Sequence, residues 1–133
     1  MKYRADNALA ALAVLLMAES LWAHHSFTAV FEMSKQFTLA GTLTKVDWRN
    51  PHIQLSLEAK DDGGTVQAWV IEGMAPSGFR GRNVGKSDFE KAIGQTITVE
   101  AVRAKDGSLY GLLLQITFPD GRSVRSLESQ PRG

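Results

Sequence analysis

The chain contains three histidines, His24, His25 and His52, and no cysteine. Imidazole is a ligand for copper, zinc and nickel. The absence of thiols excludes disulfides, cysteine-ligated zinc and thiol catalysis together. His24 and His25 directly follow Ala23, a position where an export signal would be cut. Such a cut frees an α-amine beside the His24 ring. Amine and ring then form a chelate suited to Cu(II), with His25 or His52 completing the site. A cut after Trp22 would instead put His25 third, where the amine, two amides and the ring form a square plane. Ligation needs neutral imidazole, so binding is expected to weaken below about pH 6. The plain alternative is a solvated terminal pair and a surface His52 whose ring supports the adjoining Asn50-Pro51 turn.

A second group combines aromatic and basic residues: Trp48, Arg49, Asn50, Phe79, Arg80 and Arg82, with Trp69 as a further member. Rings of this kind stack on a ligand, and guanidinium groups neutralise it. The net charge of +1 argues against nucleic acid as the partner, because nucleic-acid modules are clearly basic. A small ligand or an envelope protein is the expected occupant. Trp48 and Trp69 also fall on apolar strand positions, where tryptophan commonly serves the core. The carboxylates Asp47, Glu58, Glu72, Asp88, Glu90 and Glu100 suggest no acid–base pair. Nucleophile elbow, phosphate loop and triad spacings are all missing from the sequence, so it supports no enzyme reading.

These residues need a scaffold, and hydrophobic periodicity supplies one. Residues 1–23 read as a signal peptide: a basic start, the apolar run Ala8–Ala18, and the small Ala23 at minus one of the cut, with Leu21 at minus three. The run is shorter than the roughly 20 residues that span a bilayer. A cut after Ser20 is the alternative to one after Ala23. The mature protein is therefore expected in the periplasm or outside the cell, touching a membrane only through its signal peptide before cleavage.

From Phe37 to Glu58 two strands meet at Trp48–His52. Bulky residues hold odd positions up to Leu43 and even positions from Val46, which requires a bulge near Thr44-Lys45. Pro51 lacks an N–H and belongs at the start of the second strand. There Ile53, Leu55 and Leu57 face one way, and His52, Gln54 and Ser56 the other. Asp61–Gly64 is a turn, and Thr65–Gly73 a third strand. A long connection, Met74–Lys86, contains one helical turn near Pro76–Phe79. Ser87 and Glu90 read as a capping box opening a short helix with an apolar stripe of Phe89, Ala92 and Ile93, ended by Gly94. Strand four spans Thr96–Ala104. Strand five spans Leu109–Phe118, with Tyr110, Leu112, Leu114, Ile116 and Phe118 on one face. A short edge strand follows at Arg122–Val124.

The order strand-strand-strand-helix-strand-strand predicts an all-β protein with one short helix, an OB-fold-like five-stranded antiparallel barrel. The domain is expected over residues 24–125, with an irregular arm at 24–36 and a disordered tail at 126–133.

Residues 24–27 (HHSF) and the element running from Gly41 to His52, GTLTKVDWRNPH, carry a resemblance. Together with the closing Asp120-Gly121 hairpin, they resemble an uncharacterised family of small secreted bacterial proteins. The resemblance implies export and a shared fold, and no activity. Members tend to carry Arg-x-Gly-Trp in the connecting loop, where this chain has Arg80-Gly81-Arg82-Asn83-Val84.

Overall fold

The computed structural model describes residues 27–126, so the terminal pair His24 and His25, and the expected signal peptide, lie outside the described residues. The chain divides into two compact units at Val30/Phe31, and the sheet belongs wholly to the second. Six strands form it: β1 (Phe31–Asp47), β2 (Gln54–Lys60), β3 (Val66–Glu72), β4 (Thr96–Ala104), β5 (Tyr110–Thr117) and β6 (Ser123–Arg125). One helix, α1 (Lys86–Lys91), lies between β3 and β4, preceded by a 3-10 turn at Pro76–Phe79. The element order is the one the hydrophobic pattern predicts.

The sheet order is β3-β2-β1-β4-β5-β6. Val70–Glu72 of β3 also pair in parallel with Tyr110–Leu112 of β5, which closes the sheet into a ring. All other pairings are antiparallel.

The bulge read from the phase change in β1 is present. Leu43 pairs with Leu57 and Lys45 with Ser56, leaving Thr44 as the extra residue. Its hydroxyl donates to the Ser56 carbonyl at 3.1 Å. The extra residue turns Leu43 and Val46 to the same side. Leu43 is fully buried, and Val46 packs against the core cluster.

Three expectations are corrected. First, β1 starts at Phe31, within the stretch read as an irregular arm. Phe31 pairs with Ala104 and Gln36 with Val102, so the irregularity survives as a register shift inside a strand. Second, α1 begins earlier than the Ser87 cap requires. Gly85 is the N-cap, its carbonyl accepts from the Asp88 N–H at 3.0 Å, and the Asp88 carboxylate accepts from the Gly85 N–H at 2.9 Å. Asp88 reaches back from the third helical position, whereas Glu90 pairs with Lys86 one turn away. Ile93 consequently points outward, 43% exposed, while Phe89 and Ala92 are buried. Third, β5 carries a bulge of its own. Glu100 pairs with Gln115 and Ala101 with Leu113, so Leu114 is the extra residue. Leu113, Ile116 and Phe118 therefore join the central cluster, which Leu112 and Leu114 do not.

The core is the inner face of the ring. Ile53, Leu55, Leu57 and Ala59 of the second strand region alternate inward as expected. Gly41 is needed where β1 crosses β2, because a Cβ there would stand 2.8 Å from the Glu58 carbonyl oxygen. The helix is tied to β1 by backbone bonds from Gly94 N–H to the Leu43 carbonyl (2.7 Å) and from Leu43 N–H to the Gln95 carbonyl (3.0 Å). Gly94 has φ +85°, the left-handed conformation read for it.

Of the expected tail, residues 127–133 lie outside the described residues, and Ser126 is packed. Ser126 is 2% exposed, donates its N–H to the Leu114 carbonyl at 2.8 Å, and accepts the Met74 N–H on its hydroxyl at 2.9 Å. It thereby satisfies a backbone donor that β3 leaves at its end. Arg122 bridges the Asp88 and Asp120 carboxylates, at 2.9 and 2.8 Å. Arg122, with the Gly85 N–H, holds the Asp88 carboxyl below its ordinary range.

Candidate functional site

His52 stands between the end of β1 and the start of β2, just after the Asn50–Pro51 peptide, which is cis. Strand alternation sends Ile53 into the core and His52 to the outer face. On that face the antiparallel register sets Gln54 opposite Glu72. The parallel β3–β5 register sets Val70 opposite Tyr110, two residues from Glu72. These pairings bring three polar side chains together from three separate stretches of sequence. His52 Nδ1 lies 2.6 Å from Glu72 Oε1. The Tyr110 hydroxyl donates to the other carboxylate oxygen, Oε2.

The Glu72 side chain is 16% exposed and that of His52 33%. Each oxygen of this largely buried carboxylate thus has a donor, and the contacts orient the His52 and Tyr110 side chains. Burial, then the hydrogen bond to Glu72, pushes the Tyr110 hydroxyl well above its ordinary range, so it remains a donor at neutral pH. With Nδ1 bearing the proton that Glu72 accepts, the lone pair of the neutral ring is on Nε2. This carboxylate–histidine arrangement is the one that orients imidazole ligands at metal sites. A shallow groove of about 410 Å³ runs beside it, lined by Arg49, Asn50, Pro51, His52, Gln54 and Glu72.

The other residues singled out in the sequence divide between two places. Arg49 and Asn50 border the His52 groove, and Arg49 is paired with Asp47 at 2.8 Å. Trp48, Phe79 and Arg80 border a separate depression of about 430 Å³. Phe79, expected on a ligand surface, is instead only 2% exposed. Its ring packs against Trp48 and Phe89, with centroids 5.4 and 5.3 Å apart, because the 3-10 turn folds it inward. Trp48 is half-buried over the same rings, and Trp69 is buried against Phe37. Arg80 is exposed, and Arg82 donates to the Arg125 carbonyl at 2.8 Å. The structure thus does not gather the six into one surface.

Sequence reasoning missed Glu72 and Tyr110 as partners of His52. Glu72 reads as one more residue on a wet strand face, and Tyr110 as part of an apolar one. Only a pairing between β3 and β5 joins them, and no local pattern announces a parallel pairing of strands 38 residues apart at these positions.

Among the described residues no group of three or more His, Cys, Asp or Glu side chains is placed to hold a metal ion. Nor is any helix among them long and apolar enough to cross a membrane. The described fold and this surface define a small, mostly β protein: a ring-closed sheet with the short helix α1 against it and a polar cluster on its outer face. The chain belongs to the family of unknown function DUF6152, whose profile it matches over residues 11–115. No curated protein and no solved structure matches it.

Proposed function

We propose that the protein is an exported, non-catalytic binding protein that takes a transition metal, copper first, at its mature N terminus. The terminal amine and the rings of His24 and His25 supply the chelate, and His52 supplies a further nitrogen. The observation that carries this reading is the hold of Glu72 on His52. Its carboxylate fixes the imidazole in the orientation and tautomer a metal ligand needs, and Tyr110 fixes the carboxylate in turn. Among the described residues no group of three or more His, Cys, Asp or Glu includes His52, so a metal site there would draw its other ligands from the rest of the chain. His24 and His25 are the remaining histidines.

The test begins with protein recovered from the periplasm, whose intact mass should start at His24. Full-length chain recovered from the cytoplasm would overturn the export half of the proposal. Calorimetric titration with Cu(II) then compares the processed protein with His52→Ala, Glu72→Gln and a form bearing one extra glycine before His24. Loss of an outer-shell partner typically costs about 10–100-fold in metal affinity, which sets the expected loss for Glu72→Gln. His52→Ala and the extra glycine should each weaken binding at least as much. If His52→Ala binds copper as tightly as the parent, the sheet contributes no ligand, and the terminal histidines are an ordinary flexible chelator.

A second reading takes no metal and uses the Met74–Lys86 connection to bind an envelope partner. The exposed Arg80 at the rim of the Trp48–Phe79 depression favours it. An Arg80 variant that loses a partner while keeping copper affinity would separate the two.

A further inference from the structure

A different part of the ring carries a feature that the metal reading does not use. The register shift between Phe31 and Gln36 and the turn after β4 line one concavity of about 310 Å³. Its walls include Glu32, Lys35, Phe37, Arg103 and Lys105. The Arg103 guanidinium lies 4.8 Å from the Trp69 ring centroid and 5.9 Å from that of Phe37. The two rings are themselves 5.1 Å apart.

The aromatic pair covers one face of the guanidinium and leaves its N–H edges to find acceptors elsewhere. Among the described residues, the acceptor it has is the Gly107 carbonyl, at a long 3.4 Å. No carboxylate among them lies within ion-pairing distance of Lys35, Arg103 or Lys105. Glu32, the one acidic residue of the wall, accepts the Ser34 hydroxyl at 3.1 Å. Three cations thus face one carboxylate in a chain of net charge +1.

We propose that this concavity binds a phosphate dianion, free or as the terminal group of a monoester. A monoester carries about −1.5 to −2 charges at neutral pH, which matches the excess of cations. An arginine fork takes two phosphate oxygens side by side, and lysines add unoriented charge. The packed rings hold the fork in place before the anion arrives.

The experiment titrates inorganic phosphate into the full processed chain, ¹⁵N-labelled, at constant ionic strength with chloride as the reference anion. Saturable amide shifts confined to residues 32–37 and 103–107 are expected. Affinity should fall at least tenfold in Arg103→Gln and measurably in Lys105→Gln. Lys105 is exposed, so its variant keeps the fold even if Arg103→Gln loosens the aromatic pair. Phosphate shifts no different from those of chloride, or full affinity in both variants, would overturn the proposal. Co-sedimentation with phosphatidylcholine vesicles containing phosphatidic acid, displaced by free phosphate, would assign the dianion to a lipid headgroup. Saturation by free phosphate without vesicle binding would assign it to a soluble compound.

Discussion

Phe89→Ala is expected to be the most damaging single truncation in the sheet–helix unit, at about 3–5 kcal/mol. Phe89 is fully buried and is the side chain through which α1 grips the sheet. Its ring meets Trp48 at 5.1 Å, Phe79 at 5.3 Å and Phe118 at 5.1 Å between centroids. The contacts with Phe79 and Phe118 are edge-on, at 75° and 82°, the geometry aromatic quadrupoles favour. These three partners come from the end of β1, the Met74–Lys86 connection and the end of β5. Removing the ring therefore loosens three chain segments at once, and small domains are stable by only about 5–15 kcal/mol. Urea denaturation followed by far-UV circular dichroism should show the midpoint displaced at unchanged slope. A loss under about 1 kcal/mol would mean that the helix is held by its backbone bonds to Leu43 and not by this ring.

Leu55→Ala and Leu113→Ala should each cost about 2–5 kcal/mol, whereas Gln115→Ala should stay within about 0.5 kcal/mol. Leu55 and Leu113 are both fully buried in the central cluster. Gln115 has the same odd parity as Leu113, yet it is only partly buried and outside that cluster. The contrast measures the Leu114 bulge directly. An unbroken β5 would put Leu113 and Gln115 on one face and make them respond alike. Equal effects in thermal or urea unfolding would show that the inner face of β5 is assigned wrongly.

The two bulges also show what a single strand can disclose about itself. In β1 the apolar residues change parity between Leu43 and Val46, so an extra residue had to lie between them, and Thr44 is that residue. In β5 the run Gly111–Leu114 is buried on both faces. Leucine stands at 112, 113 and 114, parity carries no information there, and the bulge left no mark in the residue pattern.

The helix boundary failed for a related reason. Ser87/Glu90 and Gly85/Asp88 both satisfy the spacing of a cap. The choice falls to Asp88, which gains a second partner in Arg122, 34 residues away.

By itself the sequence determined the order of elements, the β1 bulge, the glycine turns and the inward set Ile53, Leu55 and Leu57. Each of these is a local consequence of period-two alternation or of backbone freedom at glycine. It also marked His52 as a polar residue on the outer face. What surrounds His52 was decided only by the tertiary structure. Glu72 and Tyr110 reach it because β2 pairs antiparallel with β3 while β3 pairs in parallel with β5. Likewise, Arg103 settles over Phe37 and Trp69 because ring closure gathers β1, β3 and β4 at one end of the core. Such meetings depend on register between distant strands. Register is fixed by the fit of the whole apolar face, a sum over many residues that no short motif records.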